Sequence, residues 1–266
     1  MSIIIVIAAV YGLAFGSFAN ALAYRFPTGE SLMTRSHCPK CDSMITAWMN
    51  IPVISWLVLR GKCKTCKLPI SFQYPAVEIL VSVLFVLVSL KIWTLGLELI
   101  PGVLAAIALC FAVFMLVVLS IIDFNTKTLP TKLIYITIAV TVPLLSVSSL
   151  LSSDWRQIAA MGIGAIALFI PYALMWFFRP GAMGFGDVRL VLLTGAIAGW
   201  FSLGHIFIAG MSPWIIASFV LLPLMILKVV KRKTKVPFGP WIAAGCVLTI
   251  LFGDIILYLF KTLGGL

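Results

Sequence analysis

The chain has 266 residues, 62% of them hydrophobic and 10% charged, with a mean hydropathy of +1.18 and a net charge of +11. Soluble domains carry about half apolar and a quarter charged residues, so this composition excludes an ordinary soluble enzyme and describes a chain built for lipid. Nor does the positive charge imply a nucleic-acid partner, because basic residues beside membrane spans record orientation.

A bilayer core takes about 20 apolar residues per helix. Eight runs qualify in chain order: 3–24, 76–93, 101–122, 131–151, 157–178, 188–203, 205–229 and 239–262. The expected fold is an all-α polytopic membrane protein of about eight transmembrane helices, with a small insertion between the first two. Its parts are a first transmembrane helix at 1–24, the insertion at 25–75, and a seven-helix membrane domain at 76–266. The first run carries no basic n-region, so it is expected to stay as a span and not be cleaved as a signal peptide. No internal repeat is visible.

The insertion contains Cys38-Pro-Lys-Cys41 and Cys63-Lys-Thr-Cys66, separated by 21 residues. Each CxxC knuckle places two thiolates on one tight turn, and two knuckles complete a tetrahedral zinc site. Stable disulfides do not suit a cytoplasmic segment, and no βαβ pattern marks a redox pair. Four thiolates leave no open position for water, so the metal folds the insertion and does not catalyse. His37 is a substitute ligand or, more simply, an exposed neighbour of Cys38. Cys110 and Cys246 lie within spans, as packing residues.

Acidic residues are few: Glu30, Asp42, Glu78, Glu98, Asp123, Asp154, Asp187 and Asp254. An ionisable group in a span is costly and therefore a functional candidate. Glu78 opens the second span, as a third active-site group, a candidate cofactor-binding residue or a helix N-terminal charge. Asp123 closes the third span. Asp187 ends Gly184-Phe185-Gly186-Asp187 and opens the sixth, so both aspartates sit at one depth on one membrane face. Glycines beside Asp187 let backbone or a substrate strand approach closely. Two carboxylates sharing a site cannot easily both ionise; one keeps a proton while the other accepts one from water. That is the acid–base equipment for peptide hydrolysis without a covalent intermediate. Taken singly, either aspartate could instead cap a helix or pair with Lys127 or Arg189. Asp254 lies 14 residues beyond Pro240, roughly 21 Å along a helix, and is expected in an interhelical hydrogen bond toward the far leaflet. His205 falls near that far face too, and no Ser–His or Cys–His arrangement fits a common depth.

Lys and Arg fix the orientation. With eight spans, 16 of the 19 fall on one side, and only Lys91, Arg156 and Lys261 on the other. The basic side is the cytoplasm. Insertion and aspartates then face the cytoplasm, and both termini face away from it.

Several segments together resemble the bacterial prepilin leader peptidase/N-methyltransferase family. They are Gly16-Ser-Phe-Ala-Asn20 with Tyr24-Arg25, the CxxC pairs, Asn50 to Leu57, Leu59 to Cys63, and Tyr74-Pro75 with Glu78. To these add Asp123 followed by Pro130, the GxGD stretch 184–187, and Pro237-Phe-Gly-Pro240. The resemblance spans nearly the whole chain, although GxGD alone also occurs in presenilin-like proteases. It implies a membrane aspartyl endopeptidase with Asp123 and Asp187 as the catalytic pair and Gly184, Gly186, Arg189 and Pro130 in supporting motifs. It further implies type IV prepilin or type II pseudopilin substrates, cut on the cytoplasmic side of the inner membrane after a leader-ending glycine. Methylation of the new N-terminus by S-adenosylmethionine would follow; no glycine-rich nucleotide fingerprint after a strand marks its site. Two departures stand out. Arg189 replaces a common lysine, keeping charge but not shape, and Leu129-Pro130-Thr131 replaces an Ile-Pro-Asn type of sequence. Leaders in this family are basic, so Glu30, Asp42 or Glu78, with anionic lipid, would have to gather them to a basic face.

Two other readings use the same residues. A proton-coupled secondary transporter would place its acids at the midplane between inverted repeats. A non-enzymatic membrane scaffold with a zinc insertion would not need the aspartates at all.

Overall fold

The computed structural model describes residues 1–179, 181, 183–229 and 236–264; Lys231, Arg232, Lys233 and Lys235, counted above in the basic face, lie outside the described residues. All eight expected spans are helices. In chain order α1 is Ser2–Thr28, α3 Gln73–Thr94, α4 Leu99–Thr126, α5 Thr131–Leu151, α6 Trp155–Phe178, α7 Phe185–Phe201, α8 Leu203–Ile226 and α9 Gly239–Gly264. The insertion contributes a 3₁₀ turn at Ala47–Asn50 and the short helix α2, Ile54–Val58. Seven of the helices are long and apolar enough to cross a membrane, and the eighth, α7, has 17 residues.

The shortness of α7 has a packing reason. Twelve of its 17 residues are buried, so neighbouring helices, not lipid, set its length. In α4, 72% of the most apolar stretch is buried, against 22–39% in the other six candidate spans. These two interior helices carry Asp123 and Asp187. Helix boundaries shift accordingly: α4 runs on to Thr126, which puts Asp123 in its last turn, and α7 starts at Phe185, which puts Asp187 in its first turn. Ser202 alone separates α7 from α8.

Close helix contacts rest on glycines spaced four apart. A Cβ on Gly12 or Gly16 of α1 would lie 2.5 Å from the Cα of Ser82 or Glu78 on α3. Gly195 and Gly199 of α7 face α6 in the same way, with a Cβ on Gly195 only 2.3 Å from the Gly164 carbonyl oxygen. In lipid, where apolar burial gives helices little reason to associate, such small-residue seams let backbones pack closely.

The insertion does hold a local repeat. His37 bridges Met44 and Lys62 bridges Pro69. Cys38 N–H donates to Ser43 O (2.9 Å) and Cys63 N–H to Leu68 O (2.9 Å); Asp42 N–H returns to Cys38 O (2.9 Å) and Lys67 N–H to Cys63 O (3.0 Å). Asp42 and Lys67 both take positive φ, 59° and 60°. The two knuckles are one fold used twice, faint in the sequence because besides the cysteines only Arg35/Arg60 and Ile45/Ile70 match.

Candidate active site

The connection after α4 is tight. Lys127 turns left-handed (φ 55°, ψ 31°), its N–H closing on the Asp123 carbonyl at 2.8 Å, and Pro130 caps α5 in extended geometry. This turn holds Leu129 beneath two glycines from distant elements. A Cβ on Gly186 would fall 2.7 Å from Leu129 Cβ, and one on Gly239 would fall 3.3 Å from Leu129 Cδ1 and 2.7 Å from Asp123 Oδ2. Only glycine lets the three segments converge.

Each aspartate fixes one oxygen on a glycine amide. Asp123 Oδ2 accepts from Gly239 N–H at 2.9 Å, and Asp187 Oδ2 from Gly184 N–H at 3.2 Å. The second bond is the helix cap foreseen as an alternative role; Gly184 has no side chain to return it. Asp187 Oδ1, buried, has no partner among the described residues. The carboxylates are 4% and 6% exposed and near enough for their charges to interact. An aromatic series joins their surroundings, Tyr172 on α6 to Trp214 on α8 (5.9 Å between centroids) and Trp214 to Phe238 (4.6 Å), which precedes Gly239.

Among the described residues no ion pair links either aspartate to Lys127 or Arg189. Arg189 instead donates to Thr131 Oγ1 at 2.6 Å and lies over the Phe185 ring at 4.4 Å. The two departures from the family pattern therefore touch each other. Glu78 sits elsewhere. It is 7% exposed, and its Oε2 accepts from Val53 N–H at 2.6 Å, tying the insertion to α3. So placed, Glu78 is not free to gather a basic leader; Glu30 and Asp42 are exposed.

The four cysteine sulfurs lie within 4.8 Å of one another. Tetrahedral zinc with Zn–S bonds of about 2.3 Å sets sulfurs about 3.8 Å apart, so the cluster fits. Backbone N–H groups of Cys66 and Thr65 bring the Cys63 thiol down to about 6, and Ser43 lowers that of Cys41. Cys66 receives a lowering N–H from Leu68, but desolvation and its three sulfur neighbours outweigh it and hold that thiol at about 11. Four sulfurs so close cannot all be thiolates unless a cation lies among them. His37 is outside the cluster, 3.8 Å from Asp42.

At the opposite end of α7, Asp254 pairs with Lys91 and lies 3.4 Å from His205 Nε2, an interhelical contact of the kind expected. One expectation fails here: Ser202 and His205 do meet, Oγ to Nδ1 at 2.7 Å. They are three residues apart across the α7–α8 turn, where His205 N–H also donates to Ser202 O (3.1 Å), and 15 residues beyond Asp187, roughly 22 Å of helix. The pair stands at the start of α8, where Ser202 makes no side-chain cap bond, and is remote from the aspartates.

Sequence reasoning missed the Gly239 amide, whose signal was the Pro237-Phe-Gly-Pro240 stretch, and Tyr172, which carried none.

Two family descriptions match the chain: the bacterial peptidase A24 N-terminal domain over residues 10–92 and the type IV leader peptidase family over residues 110–222. A prepilin leader peptidase/N-methyltransferase of Aeromonas hydrophila is 33% identical over 280 residues, covering 92% of this chain and 89% of its own length. The protein of that name from Bacillus subtilis is 30% identical over 249 residues, covering 93% and 94%. No solved structure matches.

Proposed function

The chain belongs to the type IV leader peptidase family, and we propose that Asp123 and Asp187 are the acid–base pair with which it cuts the leader from type IV prepilins or type II pseudopilins. It is a multi-pass membrane endopeptidase, and cleavage takes place at the cytoplasmic edge of the inner membrane, where the positive-inside distribution puts the aspartates.

One observation carries the reading: two carboxylates 64 residues apart in the chain lie at the ends of the two interior helices, where Gly186 and Gly239 both close on Leu129. Each carboxylate is steered by a glycine amide, and Asp187 keeps one buried oxygen without a partner among the described residues. In the hydrolysis the ionised carboxylate takes a proton from water, whose oxygen adds to the scissile carbonyl carbon. The protonated carboxyl hydrogen-bonds the carbonyl oxygen as charge grows there. Collapse of the tetrahedral species breaks the C–N bond, and the departing amine takes a proton from the pair. Which aspartate starts protonated is a property of the pair as a whole.

The product of cleavage is a new N-terminal amine. The names of its relatives support a second step at that amine. S-adenosylmethionine would supply the methyl group there, its methyl–sulfur bond breaking as the bond to nitrogen formed, and the amine would give up a proton. Cys38, Cys41, Cys63 and Cys66 would hold a zinc ion that folds the insertion and leaves no coordination site for water. Neither the transporter nor the scaffold reading gains an observation of its own.

The test is incubation of the purified enzyme with a prepilin and S-adenosylmethionine, followed by mass spectrometry. The expected products are a chain lighter by its leader and then heavier by one methyl. Asp123→Asn and Asp187→Asn should each lower cleavage by about 10²–10⁴-fold while the protein inserts normally. Wild-type cleavage by either variant would remove the proposed pair.

A further inference from the structure

Tyr172 on α6 is 4% exposed, and its hydroxyl makes no hydrogen bond among the described residues. Buried hydroxyls are almost always bonded, so an orphan asks for an explanation. The Trp214 indole lies close by, but indole N–H is only a donor and cannot receive the phenol's own proton.

Position supplies the explanation. The seam between α6 and α7 sets Gly164 against Gly195; eight residues nearer the connecting turn on each antiparallel helix stand Tyr172 and Asp187. The same register therefore puts them level. Asp187 Oδ1 is also without a partner among the described residues. One atom offers a proton and the other accepts one, yet they do not bond to each other. Each is left to find its partner outside the described residues.

Tyr172 also forms part of the wall of an apolar groove of about 580 Å³ between α6 and α8, with Ala167, Pro171, Gly210 and Met211 among its neighbours. The lining is apolar and carries no charged group, which suits a peptide segment with apolar side chains.

We propose that Tyr172 binds substrate, its hydroxyl donating to the carbonyl oxygen of the scissile peptide bond. The phenol keeps its proton throughout. It holds the carbonyl carbon beside the water that the aspartates activate and strengthens its hydrogen bond as the oxygen becomes negative, in a site poor in water where such a donor acts strongly. Its preferred substrates have apolar residues next to the cut. This inference rests on reading Asp123 and Asp187 as the acid–base pair.

Tyr172→Phe removes only the hydroxyl. In the full-length enzyme, with a prepilin substrate, kcat for cleavage should fall about 10–100-fold, less than for a dedicated oxyanion donor because the protonated aspartate also serves that oxygen. KM should stay within about threefold, since a donor whose bond strengthens in the transition state acts mainly on kcat. Two uncleavable peptides then separate binding from structure: one retains a hydroxyl at the position of the tetrahedral carbon, the other has a methylene there. The variant should bind the first about tenfold or more weakly, and the second as wild type does. Wild-type kcat in Tyr172→Phe, or equal weakening toward both peptides, would overturn the proposal, the second outcome marking a merely structural residue. Asp187→Asn assayed alongside separates the two levels: an inactive Asp187→Asn with an unaffected Tyr172→Phe sinks the tyrosine alone, whereas an active Asp187→Asn sinks both.

Discussion

Asp187 commits one oxygen to the Gly184 amide and leaves the other without a partner among the described residues, while Asp123 is held from across the bundle by Gly239. At this scale the glycines matter as absences of side chain: any larger residue at 239 would press on the Asp123 carboxylate itself. Arg189 and Thr131 show the same dependence between residues. The guanidinium both hydrogen-bonds Thr131 and covers Phe185, and lysine, a compact ammonium, cannot do both in this geometry. Arg189→Lys and Thr131→Asn should therefore be non-additive. A double-mutant cycle read by thermal unfolding is expected to give a coupling of about 0.5–2 kcal/mol; additive effects would mean that the contact carries no energy.

Elements differ in what sets their limits. Lipid length governs the outer helices, but α7 is bounded by its neighbours, with Gly195 and Gly199 seated against α6. The insertion depends on its sulfurs and a few anchors. Buried Arg25 donates to the carbonyls of Ser31 (3.4 Å), Leu32 (3.2 Å) and Thr34 (2.9 Å). Trp56 Nε1–H donates to Ile70 O at 3.3 Å, and Glu78 fastens Val53 to α3. With so little apolar core of its own, the segment draws its stability from metal binding. Cys38→Ser with Cys63→Ser should speed proteolysis within residues 31–72 and lower methylation more than cleavage. Wild-type protease resistance in that variant would count against a structural metal.

For the whole molecule, alternation of the helices gathers the insertion, the α4–α5 turn and the start of α7 at one end, and Lys91, Asp254 and His205 at the other. The positive-inside rule assigns the first end to the cytoplasm. Single cysteines introduced at Lys127 and Trp155, in a background lacking exposed thiols, should be labelled from opposite sides by a membrane-impermeant reagent, Lys127 from the cytoplasm. Labelling from one side only would break the eight-span topology.

Sequence alone determined the membrane class, all eight helices, the four-cysteine cluster and the two candidate aspartates, because each is written locally. A span is a run of apolar residues, a knuckle is a spacing, and a costly charge in lipid announces itself. The glycine pairs 12/16 and 195/199 were just as legible and went unread. Only the tertiary structure decided which acid serves which purpose. Glu78, Asp187 and Asp254 look alike in a hydropathy plot, yet one anchors the insertion, one stands beside a second carboxylate and one pairs with Lys91. Tyr172 could not have been singled out from the chain, since an aromatic in an apolar helix is ordinary until packing brings its hydroxyl level with Asp187. Which polar atoms end up facing one another depends on helix register, and register is settled by contacts between residues far apart in the chain.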